Sequence, residues 1–447
     1  MASPKTALEH STLASRLAEA RSRTDALFGV LPPDSYYERP IPERHRLIFY
    51  LGHLEAFDWN LLSGHLGLEP HNADLDRLFA FGIDPIGGGL PTDVPKDWPS
   101  IDAVRKYNEA GRILLSNAIT KALETNDRAS VELLTRLNVA IEHRLMHAET
   151  LSYLFHNLPL EKKLPQPDAL SADSTPAPRQ YSIAIPDGVT ELGLNSNTSD
   201  TFGWDNEFEA QQISVPAFSI DAFPVTNAAY LEFVRAGGYQ SRNYWTPQDW
   251  NWKTSEGLWH PRFWEPNQES AHADSDWNYR GMFGTIPLPP SWPVYVSHAE
   301  ASAFARWAGK KLPTEAQWHR AAYGQGDGPE RQFPWGDDTP NASHGNFHYK
   351  RWDPAAVNTH PAGASSFGVH DLLGNGWEWT STVFAPLPGF SAFPFYPGYS
   401  ADFFDGKHYV MKGGSPRTDA CMLRRSFRNW FQPHYPYVYA KFRCVEA

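Results

Sequence analysis

Cysteine is nearly missing from this chain. Its 447 residues hold only Cys421 and Cys444, so a disulfide scaffold is excluded and one chain cannot build a four-cysteine zinc site. Long apolar runs are missing as well: no stretch of about 18 apolar residues occurs, which argues against a membrane-spanning helix. Strongly basic runs are also lacking. With 39 Lys+Arg against 51 Asp+Glu the balance is acidic, so nucleic acid and anionic membrane are poor partners. Met1 to Thr6 lead into a polar amphipathic stretch rather than an apolar leader, and a soluble cytoplasmic protein is expected. No period of about 20 to 50 residues recurs, which argues against a solenoid or propeller.

Aromatic rings, by contrast, are abundant. The 17 Trp, 19 Tyr and 26 Phe make up 14% of the chain and concentrate after residue 200, which suits a loop-rich domain held by large rigid side chains or a ring-lined pocket. The length calls for two domains, each able to bury a core. Residues 6–30, 43–64, 101–125 and 129–156 carry helical apolar periodicity, with breaks at Leu31-Pro32-Pro33-Asp34 and Asn126-Asp127. Four long helices predict a bundle over residues 1–160. The connection between the second and third is long and rich in turn residues, from Phe81 to Pro91. Long crossovers are often functional, and this one is expected to approach the site. Residues 161–182 contain a Pro/Ser/Ala-rich stretch, Leu164 to Pro178, which reads as a linker. Beyond it, residues 183–447 show short strands, turns and few helices, at 226–236, 297–308 and just after Leu312-Pro313-Thr314-Glu315.

The segment Ile141-Glu142-His143-Arg144-Leu145-Met146-His147 sits inside an uninterrupted helical pattern. His143 and His147 therefore project from one face, one turn apart. Two imidazoles so spaced give a metal two ligands, and a third must come from another element. The best candidate is His53, in the amphipathic run Phe49 to Trp59; His45, eight residues earlier on a similar face, could replace it. A three-histidine site with open positions suits a redox iron that still has to bind substrate or dioxygen. Asp58 and Glu149 are either solvated helix face or acceptors that orient the ligand imidazoles.

Four separated stretches of the second half carry a family pattern: Phe223 to Phe233, Ala305 to Trp318, Phe367 to Thr380, and Lys412-Gly413-Gly414-Ser415 with Arg424 to Trp430. Together they resemble the formylglycine-generating-enzyme (sulfatase-modifying factor) fold, a variant of the C-type lectin scaffold. The first half, with His53 and the His143/His147 pair, resembles the DinB-like four-helix bundle. An α+β chain of this make-up looks like the ergothioneine-pathway sulfoxide synthases. In that family a three-histidine non-haem iron(II) centre uses dioxygen to join a thiol to the imidazole C2 of hercynine, Nα-trimethylhistidine. By motif match the ligands fall on His53, His143 and His147.

The resemblance extends to the substrates. A quaternary ammonium cannot donate hydrogen bonds and is best met by aromatic faces, for which Trp377, Trp379, Trp430 and Phe431 are candidates. Asn429 would bind the carboxylate or imidazole. Arg424, Arg425 and Arg428 are candidates for the donor's carboxylate, and Tyr396 and Tyr399 for a proton donor. Formylglycine generation itself is disfavoured, because that activity uses a pair of nearby cysteines. Members that use γ-glutamylcysteine carry an acidic residue directly after Asn-Trp and arginines in the crossover; here Phe431 follows, and residues 84–90 hold no arginine. Free cysteine is therefore the expected donor. The alternatives are γ-glutamylcysteine, a histidine-using (ovothiol-type) or selenium-using synthase, and, from another class, a lectin-like binding protein with a vestigial metal site. Substrate is expected between the domains.

Overall fold

The helix Leu47–Leu62 buries 14 of its 16 residues. Apolar on nearly every side, it has to lie at the centre of its neighbours rather than on their surface. In this computed structural model the described residues are 4–80, 90–125, 131–166, 170–196, 201–267, 277–326 and 328–446. The chain divides into two units, residues 1–166 and 167–447.

In the first unit, α1 (Pro4–Phe28), α2 (Leu47–Leu62), α4 (Ile101–Thr125) and α5 (Val131–Asn157) are the four expected long helices. A short α3 (Ala73–Leu78), which periodicity did not reveal, begins where the Asn72 side chain accepts the Leu75 N–H at 3.2 Å. That is an ordinary N-cap. Residues 81–89, most of the expected crossover, lie outside the described residues. The stretch expected as a linker is fastened at its start: Leu164 N–H donates to Val30 O at 2.8 Å and Ser35 Oγ to Lys162 O at 2.8 Å.

The second unit is built on strands β1 (Ser182–Ile185), β2 (Gly188–Leu192), β3 (Gln211–Val215), β4 (Phe218–Asp221), β5 (Trp264–Pro266), β6 (Trp277–Arg280), β7 (Thr285–Pro287), β8 (Lys310–Lys311), β9 (Gly376–Val383), β10 (Tyr409–Gly414), β11 (Asn429–Phe431), β12 (Ala440–Lys441) and β13 (Val445–Glu446). Two four-stranded sheets run in the orders β1-β4-β13-β8 and β11-β10-β9-β12, beside a β2-β3 hairpin and a small β5-β6-β7 sheet. Helices α6 (Asn227–Arg235), α7 (Pro247–Ser255), α8 (His298–Trp307), α9 (Glu315–Tyr323) and α10 (Gly398–Ala401) connect them. Ser297 and Thr314 open α8 and α9 as reciprocal capping boxes with Glu300 and Gln317, the device that the sequence signals. The sequence reading misses α7, although Thr246 caps it and Pro247 stands in its first turn; its tryptophans form no apolar stripe. Trp318, Tyr323, Phe347, Leu372, Leu423 and Val445 share one buried core. The architecture is α+β, helical in the first unit and sheet-rich in the second.

Candidate functional site

Two adjacent helices of the bundle bring the three histidines together. His53 comes from α2, and His143 and His147 from successive turns of α5. All three are at least 95% buried. Their ring centroids lie 4.4 to 5.4 Å apart, and one ligating nitrogen from each falls within 4.8 Å of the others. Two imidazole nitrogens on one ion, each at about 2.1 Å, stand roughly 3–4 Å apart, so a small side-chain rotation turns the triad into a ligand set.

Protonation favours the same reading. Burial drives the His53 pKa down to about 4, with the Phe79 carbonyl opposing it and His45 and Arg144 assisting. Burial likewise holds His143 and His147 well below the usual histidine value, with the neighbouring imidazoles and Arg144 adding to it. Neutral imidazole is the form that ligates. His53 Nδ1–H donates to the Phe79 carbonyl at 2.7 Å, which leaves its Nε2 as the lone-pair nitrogen. Nδ1 of His143 and of His147 is buried with no hydrogen-bond partner among the described residues. Three buried, neutral, mutually facing donors fit a borderline transition-metal ion such as iron(II). His45 is not part of the group; its ring lies tilted against Phe49 at 4.2 Å, and Phe49 stacks in turn on His53 at 4.9 Å.

Beside the triad lies a charge cluster that the sequence reading did not foresee. Arg144, next to His143, donates to Glu55 Oε1 at 2.9 Å, Asp58 Oδ2 at 2.7 Å and Leu54 O at 2.8 Å. Arg21 reaches Asp58 at 3.2 Å, and Arg112 binds both Glu55 and Asp25. Three cations meet three carboxylates, and α2 is tied to α5 immediately beside two of the histidines. Burial pushes the Glu55 carboxyl up, but Arg144, Arg112 and Arg21 outweigh it and bring it down to about 2. Asp58 is therefore neither solvated nor an acceptor for imidazole: it is fully buried and paired with guanidiniums. Glu149 is buried too.

The second unit gathers some of its candidates and disperses others. Asn429, Trp430 and Phe431 form β11, paired with β10 so that Trp430 opposes Val410. Trp430 is half-buried, stacked on Phe384 at 4.2 Å and edge-on to Tyr399 at 5.4 Å. Tyr399 lies flat on Trp204 at 3.9 Å and Tyr396 is 5.5 Å from Tyr399, so both candidate tyrosines join the ring cluster around Trp430. Burial, and then Asp205 and Asp402, push the Tyr396 hydroxyl up to about 12.

Other candidates are committed elsewhere. Trp379 is sealed in the core, its indole N–H donated to Val296 O at 2.9 Å. Trp377, on the same face of β9, stacks on Phe427 at 5.8 Å. The three arginines are each paired with carboxylates of the same unit. Arg424 clamps Glu207 at 2.5 and 2.8 Å, Arg425 bridges Glu330 and Glu191 at 2.8 and 2.9 Å, and Arg428 holds Glu315 at 2.9 and 3.1 Å. Their carboxylate partners are residues of the unit itself, a role invisible in a linear reading because the pairs are 95 to 234 residues apart.

Comparison with known proteins agrees with this division. Residues 168–447 match the family described as sulfatase-modifying factor enzyme 1-like domain, and residues 16–151 match the DinB superfamily. The hercynine oxygenase of Mycolicibacterium thermoresistibile is 39% identical over 253 residues, covering 55% of this chain and 54% of that protein. Ergothioneine biosynthesis protein 1 of Neurospora crassa is 28% identical over 499 residues, covering 93% of this chain and 55% of its own; the chain thus spans about half of that fungal relative. The hercynine oxygenase of Mycolicibacterium smegmatis is 34% identical over 443 residues, 95% of this chain and 96% of the relative. Similarity sustained from one end of that enzyme to the other, across both units, makes this chain an oxygenase of the hercynine oxygenase family.

Proposed function

We propose that the chain is an iron(II)- and dioxygen-dependent sulfoxide synthase of ergothioneine biosynthesis, joining the imidazole C2 of hercynine to the sulfur of cysteine. One observation carries the reading: one nitrogen from each of three buried, neutral imidazoles on α2 and α5 lies within 4.8 Å of the others. The stoichiometry balances. Hercynine loses its C2 hydrogen and cysteine its thiol hydrogen as the C–S bond forms; one oxygen atom of O2 becomes the sulfoxide and the other leaves as water. That is a four-electron oxidation matched by the four-electron reduction of O2.

Iron(II) held by His53, His143 and His147 would supply the redox chemistry that links thiol and dioxygen. Three neutral donors would hold the ion without saturating it, leaving it able to take up thiol and dioxygen. The ring cluster of Trp430, Tyr399 and Phe384 offers the π surfaces suited to a trimethylammonium. Asn429, one residue before Trp430, supplies amide groups for the carboxylate or imidazole. The Tyr396 hydroxyl keeps its proton at neutral pH and is our candidate proton donor. The reading of cysteine as donor is supported by Phe431 directly after Asn-Trp and by the engagement of Arg424, Arg425 and Arg428 with glutamates, which leaves those guanidiniums committed before a second substrate carboxylate arrives. A cytoplasmic setting accords with two cysteines that form no disulfide. No helix among the described residues is long and apolar enough to cross a membrane.

The test is oxygen uptake by iron-loaded protein with hercynine or histidine, each paired with cysteine or γ-glutamylcysteine. Uptake is expected with hercynine plus cysteine, and H143A and H147A should bind no iron. Absence of uptake with every pair, or unchanged iron binding in both variants, would end the reading. A preference for γ-glutamylcysteine would replace the donor and keep the reaction class.

A further inference from the structure

Gly52 stands in the interior of α2, directly before His53. A side chain there has no room: a Cβ would lie 2.5 Å from three atoms of the Phe79 ring. Other rings pack around that one. Phe79 is fully buried, with Trp98 at 6.2 Å, Tyr107 at 6.1 Å and Phe49 at 6.4 Å around it. Phe79 is also the residue that caps α3 and whose carbonyl accepts His53 Nδ1–H at 2.7 Å. The ring and the carbonyl belong to one residue, so seating the first aims the second. Alanine is the better helix former at an interior position, and its absence from the centre of the most buried helix calls for a reason outside helix propensity.

We propose that Gly52 and Phe79 are positioning residues for the metal site: the missing side chain at 52 admits the Phe79 ring, and the Phe79 carbonyl thereby locks His53 in the Nδ1–H tautomer with Nε2 free to ligate. The inference rests on the reading of His53 as a metal ligand. Backbone carbonyls commonly fix ligand imidazoles in this way, and loss of such a partner typically lowers metal affinity about 10- to 100-fold. What is specific to this chain is that a glycine on the ligand's own helix controls whether the carbonyl arrives. A bulkier residue at 52 should displace the carbonyl without touching any histidine.

The experiment uses full-length, metal-free protein labelled with 15N-histidine, together with cobalt(II) titration read by visible absorption. Wild type should show the Nδ1–H tautomer at His53. In G52A that tautomer should be lost and cobalt(II) affinity should fall about 10-fold or more. The double variant G52A/F79L, in which the colliding ring is removed, should recover the tautomer and most of the affinity. An Nε2–H tautomer in the wild type overturns the proposal, as does a G52A protein that keeps both tautomer and affinity, or a double variant no better than G52A. Should G52A fail to fold, the wild-type tautomer and the double variant still decide. Wild type that takes up no cobalt(II) would refute the triad as a metal site, whereas the tautomer measurement, made without metal, judges Gly52 and Phe79 separately.

Discussion

Arg144 shows how much a single side chain can hold. It is fully buried and bonded to two carboxylates and a carbonyl across the α2–α5 contact. Replacing it with methionine leaves Glu55 and Asp58 facing apolar surroundings, and removal of one partner from a buried ion pair costs about 3–5 kcal/mol. R144M should lower the urea midpoint of the first unit accordingly, whereas R77M, whose partner Asp74 is exposed, should leave it almost unchanged. The histidines themselves were legible because an i, i+4 pair in a helical run declares its own geometry. Arg144 was not: it follows His143 in the chain, but its partners are 86 to 90 residues away. For the same reason the sequence offers Arg424, Arg425 and Arg428 as partners for a substrate carboxylate without revealing the glutamates that pair with them in the fold.

Among elements, α4 covers the residues its periodicity predicts, Ile101–Thr125, because a surface helix advertises its buried stripe. Strands of two or three residues such as β8, β11 and β12 carry no such signal, and what placed Asn429 and Trp430 in view was motif similarity. Their exposure pattern still makes a prediction. Every residue of β11 is partly accessible, while its partner β10 is buried almost throughout. Asn429→Ala should therefore leave folding intact and raise the KM for hercynine; loss of a hydrogen bond to a charged group, about 1.5–3 kcal/mol, corresponds to roughly 10-fold or more. A W430F variant should fall between wild type and N429A if the stacked ring supplies most of that contact. Initial-rate kinetics at saturating thiol distinguish these cases. Equal KM values in all three proteins would remove β11 from the binding site.

For the molecule as a whole, acid stability depends on carboxylates buried in the second unit. Burial pushes Glu378 and Glu315 up, but Arg443 and Lys441 outweigh it for the first and Arg428 and Lys412 for the second, so both end below the ordinary glutamate value. A carboxyl whose folded pKa is depressed contributes stability that is present above its unfolded value, about 4.3, and lost as pH falls through the folded one. Urea midpoints should thus be steady from neutrality to about pH 5 and drop steeply below. E378Q, which leaves Arg443 facing a neutral amide, should start about 3–5 kcal/mol lower at pH 7 and show a shallower acid slope. Titration of unfolding by tryptophan fluorescence reads both, since Trp318 donates to Glu378 at 2.8 Å.

The placement of β13 bears on how the protein is made. Val445 pairs with Ile220 on one side and Lys311 on the other, so a strand synthesised after nearly all the rest of its unit is wedged into the middle of the sheet. On the ribosome, the backbone edges of β4 and β8 that face β13 have no ladder partner until that strand emerges from the exit tunnel, although Lys310 can already reach Asp221. The second unit is therefore committed to finishing its assembly only after translation has passed Val445, and nonsense changes a few codons upstream of that residue should yield aggregated protein rather than a slightly shortened enzyme.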